Sequence, residues 1–420
     1  MRQFRDLCTV PPERLQDIQD EFERSMEAGL RGDEAGLDML PTFHRPAAVR
    51  VRGYEQGSYY AIDLGGTNFR VLHVELPFGR PIPAECFDTD SGLLLEFVAD
   101  CIDLMLQLHP PGGDGVPVIG FCFSFGVQQT ALDNGALVRW TKGFYGSGLL
   151  GKNIVAELED TFKRRGKRVR IPAILNDTAA TLVALRFRDP QTEVGVILGT
   201  GTNAAYRERV RSIRTLPGGY AARSERMVVN TEWGDFWSDV LPALAGVDDA
   251  IDARSVNPGR GRFEKLVSGH YMGEIVRLML LQLARLGGAL GGARARARAR
   301  RGALASAAVT AVDDAAEGDH AAVDAALGAL GVERPSHRQR QLLREAAQLG
   351  TSRVAVAVDG SVYCKYRGYR GLMADALRDV LGEDSAALVE LREVKDGSVL
   401  GAAYLAAACD AYERTHTVSG

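Results

Sequence analysis

Apolar residues recur along the chain in two rhythms. Residues 59–64 (YYAIDL) and 117–125 (PVIGFCFSF) are short, nearly unbroken apolar runs bounded by polar or Gly-rich turns, as buried strands are. Residues 69–76, 169–175, 193–198 and 227–230 read as further strands. Helical spacing appears instead over residues 11–29, with Leu15, Ile18, Phe22 and Met26, and over residues 91–109, with Leu94, Phe97, Cys101, Met105 and Leu108. Helices are also predicted over residues 148–164, 179–187 and, as one long amphipathic element, 263–286. Residues 40–50 (LPTFHRPAAVR) are broken by proline and read as an extended connector, with His44 as surface polar filler.

Two of the strand junctions carry candidate chemistry. In YYAIDLGGTNFRVLHVEL, residues 59–76, the strand meets Gly65, Gly66, Thr67 and Asn68 before a second strand, a hairpin whose turn can approach a ligand closely. Turn N–H groups and the Thr67 hydroxyl make a phosphate cradle, and Asp63 at the strand exit can hold a metal or its waters. Arg70 follows on the return strand. An ordinary hairpin would look the same. EVGVILGTGTNAAYRERV, residues 193–210, repeats the arrangement, with Gly199, Thr200, Gly201, Thr202 and then Asn203. Two such turns suggest an internal duplication that grips a nucleotide from both sides.

Asp177 stands where a strand's carboxyl end turns into a helix, the usual place for reacting groups in α/β proteins. A capping carboxylate is the alternative. Glu232 and Glu264 can each accept hydrogen bonds from neighbouring sugar hydroxyls, or serve as helix-end carboxylates. Thr141 and Lys142 share a loop with Trp140 and Phe144, where a solvated lysine is equally at home.

Composition narrows the classes. With 46% hydrophobic and 25% charged residues and a formal charge of -4, the chain is long enough for two cores and offers no general attraction to nucleic acid or anionic membranes. Six scattered cysteines without a CxxC pair point to reduced, buried thiols. Seven histidines without HExxH spacing argue against a zinc site. No run is long and apolar enough to span a bilayer, and the N-terminus lacks the features of a signal or transit peptide, so a cytoplasmic protein is expected.

Taken together, IDLGGTNFRV, GFCFSFGVQQ, RWTKGF, LNDTAATL, VGVILGTGTNAAY, NTEWGDF, NPGRGRFEKLVSGHYMGEIVRL and VAVDGSVY closely resemble the eukaryotic hexokinases of the actin-like ATPase superfamily, in that family's order. The likeness runs from about residue 40 to 286 and again from 354 to the end, leaning toward plant and algal members. It implies an α/β, two-lobed, ribonuclease H-like fold with an interlobe cleft that closes on sugar. The small lobe would be residues 57–177 plus 402–415, and the large lobe residues 1–50 plus 178–400. The activity implied is ATP-dependent phosphorylation of a hexose, D-glucose above others, at its 6-hydroxyl, the first step of glycolysis.

By position in the motifs, Asp177 resembles the general base, with Lys142 and Arg70 beside it in the catalytic set. Ser124, Thr141, Lys142, Asn176, Asp177, Asn203, Glu232 and Glu264 resemble the sugar-binding set. Asp63, Gly65, Gly66, Thr67, Asn68, Gly199, Thr200, Gly201, Thr202, Asp396, Gly397 and Ser398 resemble the nucleotide-binding set. Mg²⁺ would sit mainly on ATP phosphates and water, at most through Asp63, with no all-protein cage. The expected partners are hexose and ATP, with no nucleic acid and no membrane, for a monomer.

The pattern departs from the family in four places. Gly126 lies where proline is usual, which frees backbone next to Ser124. Residues 288–334 form a low-complexity Ala/Arg-rich insert, including ARARARARR at 293–301, that reads as a solvated helix or loop, or as an anion- or partner-binding tract. Between residues 331 and 354 only one helical pattern occupies an interval where the family has two. Val399 and Leu400 replace a Gly-containing pair, and a β-branched residue would be strained where positive φ is needed. A shortened nucleotide side beside an intact sugar set also suits a sugar-binding sensor with little kinase activity.

Overall fold

The computed structural model describes residues 10–44, 59–64, 68–73, 76–111, 115–141, 144–189, 192–217, 226–242, 246–287, 308–309, 311–312, 320–330, 332, 340, 359, 362–363, 369–381, 386, 391–394 and 396–417. In chain order its main elements are α1 (Pro12–Arg31), β1 (Leu40–Pro41), β2 (Tyr59–Leu64), β3 (Asn68–His73), β4 (Leu76–Pro81), α2 (Leu93–Leu108), β5 (Val118–Phe123), β6 (Gly126–Ala131) and β7 (Asn134–Arg139). Then come α3 (Ile154–Arg164), β8 (Arg170–Leu175), α4 (Asp177–Arg188), β9 (Val194–Leu198), β10 (Thr202–Arg209) and β11 (Arg226–Asn230). The rest is helical: α5 (Val247–Asp252), α6 (Arg262–Val267), α7 (Gly269–Gly287), α8 (Ala321–Ala329), α9 (Tyr369–Leu381) and α10 (Gly397–Thr417).

The chain forms two compact units. One comprises Met26–Ile197, Asn203–Glu232 and Val394–Gly420; the other comprises Met1–Ser25, Leu198–Thr202 and Trp233–Glu393. The first is built on a five-stranded sheet of order β4-β3-β2-β5-β8. β2 pairs parallel with β5, β5 parallel with β8, and the β2–β3 hairpin pairs Asp63 with Arg70. β2 and β5 are buried along their whole length, which is why both read as continuous apolar runs rather than alternations.

The two faces of this sheet differ in side-chain size. Ile62, Leu64, Phe121 and Phe123 face α2 and α3 through Val98, Ile102, Leu158 and Phe162. Ala61, Cys122, Ala173 and Leu175 face α4 and α10. Small residues let these helices come very close: a Cβ on Gly120 would lie 2.1 Å from Ala402 O, and one on Gly401 would lie 1.7 Å from Ala180 O. Val399 and Leu400 are helical in α10, so the strain expected there does not arise; the positive φ falls on Asp396, at 56°.

A second sheet has the order β1-β11-β10-β9. Here the expectation for residues 40–50 is corrected. Leu40 and Pro41 are an edge strand paired with Asn230 and Val229, where proline's missing N–H costs least. His44 is buried, not surface filler, and its carbonyl accepts from Val228 N. Two predicted helices are also revised. The one expected from residue 148 begins at Ile154, because Gly151 is left-handed and Asn153 caps the helix on Val155 N. The long helix expected over 263–286 is two helices, α6 and α7, broken where Ser268 is extended.

In the other unit, α5 and α7 share a core of Val247, Ile251, Tyr271, Ile275 and Met279. Phe22 of α1 sets its ring edge against Trp233 and Phe236. The Arg-rich tract at 293–301 and the interval 341–354 lie outside the described residues. Among the described residues no helix is long and apolar enough to cross a membrane.

Candidate functional site

In the first unit, chemistry collects at the carboxyl ends of β2, β5 and β8. β8 ends at Leu175, and Asn176 then caps α4: its Oδ1 accepts from Thr178 N at 3.0 Å and Thr178 Oγ1 at 2.7 Å. The cap is therefore Asn176, and Asp177 is the first helical residue, with its Oδ1 accepting from Thr178 N at 2.9 Å. A carboxylate at this position also meets the positive end of the helix dipole.

Asn203, at the second residue of β10, joins this corner to β11. Its Nδ2 lies 2.8 Å from Asn230 Oδ1, 3.3 Å from Glu232 Oε1 and 3.4 Å from Asn176 Oδ1, so two hydrogens serve three acceptors. Asn230 Nδ2 donates to Glu232 Oε1 at 2.7 Å, and Glu232 N lies 3.3 Å from Asn230 Oδ1. Glu232 has φ 52°, and Arg139 Nη2 approaches its Oε2 to 3.5 Å. Behind Asn176 and Asn230 is a cavity of about 10 Å³ lined also by Phe123, Phe125 and Leu175, enough for one water.

Asp63 forms a second centre in the same unit. It is buried, and its Oδ2 accepts from Ser398 Oγ at 2.9 Å, while Ser124 Oγ reaches Oδ1 at 3.4 Å. Burial pushes the Asp63 carboxyl up, Arg70 opposes this, and the nearby charge of Asp177 pushes the same way as burial. Arg70 Nη1 is 3.1 Å from Asp396 Oδ1. Burial likewise holds the Cys122 thiol well above its ordinary value, with the charges of Asp63 and Asp177 adding to the effect.

In the other unit the second Gly/Thr turn is pinned from outside. Gly199 O accepts from Gly269 N at 2.8 Å and Thr200 O from His270 N at 3.0 Å, bonds made possible by the break between α6 and α7. Thr202 N donates to Glu264 Oε2 at 3.2 Å, and Thr202 Oγ1 accepts from Trp233 Nε1 at 2.9 Å. Glu264 thus stands against the turn, and a Cβ on Gly234 would lie 3.3 Å from its carboxylate. Lys265 Nζ, almost wholly buried, donates to Asp252 Oδ1, Asn257 O and Arg260 O and ties the preceding loop beneath Glu264.

The structure brings Asn176, Asp177, Asn203 and Glu232 into one region, and Asp63, Arg70, Ser124, Asp396 and Ser398 into another that feels Asp177. Ser124, expected with the sugar set, lies on Asp63, as does Ser398, expected on the adenosine side. Gly397 opens α10 against Thr181 and Val394. Thr141 O accepts from Phe144 N, beside the stacked rings of Trp140 and Phe144. Gly65, Gly66, Thr67 and Lys142 lie outside the described residues, as does the side chain of Asn68. Among the described residues, no group of three or more His, Cys, Asp or Glu could hold a metal ion.

Sequence reasoning missed Asn230, Arg139, Asp38 and Trp233. Asn230 was within reach, because it ends the predicted strand over residues 227–230, two residues before Glu232. Nothing in the sequence paired Arg139, the first residue of RWTKGF, with Asp38 or Glu232, since the three are distant along the chain.

Two family models, both described as hexokinase, match residues 1–187 and residues 193–355 and 346–408. Among curated proteins, hexokinase-1 of Oryza sativa subsp. japonica is 36% identical over 97% of this chain and 90% of its own length. Hexokinase-1 of Nicotiana tabacum is 34% identical over 98% and 91%. Among solved structures, the hexokinase from Schistosoma mansoni complexed with glucose matches with a TM-score of 0.83 and 28% identity, over 97% of this chain and 98% of that one.

Proposed function

The chain belongs to the hexokinase family, whose reaction is ATP-dependent phosphorylation of a hexose, and we propose that this chain phosphorylates D-glucose at its 6-hydroxyl with Asp177 as general base. The observation that carries the assignment is the placing of Asp177 at the start of α4, next to the Asn176–Asn203–Glu232 network and within the field of Asp63. A carboxylate held there can orient the acceptor hydroxyl and take its proton.

Amides and carboxylates suit a polyol, because each sugar hydroxyl both donates and accepts. Asn176 Oδ1 is taken up by the cap, and no described residue accepts from its Nδ2, which leaves that donor for a hydroxyl oxygen. Glu232 and Glu264 supply acceptors, and Asn203, whose amide hydrogens are shared among three side-chain oxygens, belongs to the same proposed set. Thr141 and Lys142 complete the proposed sugar set, and the two Gly/Thr turns, with Asp396–Ser398, the nucleotide set.

Asp63 fits a supporting role toward Mg²⁺ better than a direct ligand role, since both its oxygens already receive hydroxyl hydrogens. The ion, held by ATP phosphates and water, would neutralise phosphate charge. We also propose the two lobes at residues 57–177 plus 402–415 and 1–50 plus 178–400, and a cytoplasmic monomer.

The test is hexose-dependent ADP release from Mg-ATP by the purified full chain, across a panel of hexoses. Glucose should be turned over, and absence of release with every hexose would defeat the proposal. Calorimetry with ATP separates failure of the whole reading from the alternative of a sugar-binding regulator, which would bind glucose but not nucleotide.

A further inference from the structure

Glu232 has an unusual problem to solve. Its backbone sits at φ 52°, a region that L-residues with long side chains rarely adopt. Its carboxylate must therefore be aimed by contacts to the side chain. The amides of Asn230 and Asn203 reach only Oε1. Arg139 Nη2 approaches Oε2 to 3.5 Å.

Arg139 is itself held. Its Nη1 is 2.6 Å from Asp38 Oδ2, and both side chains are largely buried. Strand pairing delivers both partners. Asp38 lies just before β1, whose Leu40 pairs with Asn230, two residues before Glu232. Arg139 is the last residue of β7 and pairs with Gly126 of β6. A Cβ on Gly126 would lie 3.6 Å from Arg139 Cγ and 4.0 Å from Nε, so the bare glycine at this departure from the family pattern borders the arginine stem.

We propose that Arg139, anchored by Asp38, is a positioning residue that fixes the Glu232 carboxylate for hexose and so sets sugar affinity. This rests on the reading of Glu232 as a sugar ligand. A guanidinium between two carboxylates, partly withdrawn from water, holds geometry better than an exposed pair would. A carboxylate aimed in this way can accept hydrogens from two neighbouring sugar hydroxyls. Loss of Arg139 removes one hold on Oε2 and loosens the aim of the carboxylate.

The test is glucose affinity by calorimetry and steady-state kinetics on the full chain. Arg139→Ala should weaken glucose by about tenfold, while kcat falls by less than about threefold and the KM for ATP moves by less than about twofold. Arg139→Lys should recover part of the loss, and Asp38→Asn should shift glucose affinity in the same direction by less. In a Glu232→Gln background, Arg139→Ala should add less than about twofold, because both changes act through one carboxylate.

If Glu232→Gln weakens glucose and Arg139→Ala does not, the positioning role is wrong while the sugar reading survives. Losses that multiply in the double variant overturn it too. If Glu232→Gln leaves glucose affinity unchanged, the sugar reading itself fails and takes this proposal with it. Should Arg139→Ala not fold, Arg139→Lys and Asp38→Asn both within about twofold of the parent would be decisive against the proposal.

Discussion

At the scale of single residues, two carboxylates and three asparagines divide the work by what already occupies their atoms. Asn176 is the helix cap, and Asp177 is the first residue of the helix, with Oδ1 accepting from Thr178 N. Asp177→Ala should cut turnover by about 10²–10⁴-fold while calorimetry still detects glucose binding. Loss of both together would instead point to a folding or sugar-binding defect. Asn230, the buried member of the network, donates to Glu232 at 2.7 Å. Asn230→Ala should raise the glucose KM by about tenfold. Asn230→Asp should raise it further, because it sets a second negative charge against Glu232 Oε1; equal KM values for the two variants would show that the effect is packing rather than charge.

At the scale of elements, close approach and buried charge decide what can be changed. Gly401 lets α10 lie on α4 with no room for a side chain. Gly401→Val should cost about 2 kcal/mol or more in urea unfolding, since the helices must part. The Asp252–Lys265 pair, between the end of α5 and α6, has a pH signature. Burial alone would push the Asp252 carboxyl up, but the Lys265 ammonium and the Gly259 N–H outweigh it and hold the carboxyl below its usual range. A carboxyl depressed in the folded state stabilises above its unfolded value of about 4 and loses that contribution as pH falls through the folded value. Asp252→Asn should therefore melt lower than the parent at pH 7, and the gap should narrow in acid. A gap that does not change with pH would assign the loss to packing.

At the scale of the whole molecule, ligand binding should appear as stability. Glucose at about 100 times its dissociation constant adds about 2.7 kcal/mol to a folded state that binds it, a rise of a few degrees in melting temperature. Glu232→Gln should lose most of that rise at the same glucose concentration. An undiminished shift would mean that the sugar site lies elsewhere.

Much of the fold was legible because it is local. Buried parallel strands read as apolar runs at residues 59–64 and 117–125, and the pairing of Asp63 with Arg70 was legible from the Gly65-Gly66 signal between two apolar runs. Asp177 was legible because a strand end and a helix start coincide there, and eight ordered motifs carried the family. What the linear pattern could not reveal is long-range pairing. Residues 40–41 belong to a sheet edge because β11 offers them a partner, and His44 is buried for the same reason. The break between α6 and α7 answers to the distant carbonyl of Gly199. Asp38, Arg139 and Glu232 are far apart along the chain and meet only in space, so no short window of sequence contains them together. Secondary structure follows from neighbours in sequence, but which charges face each other follows from neighbours in space.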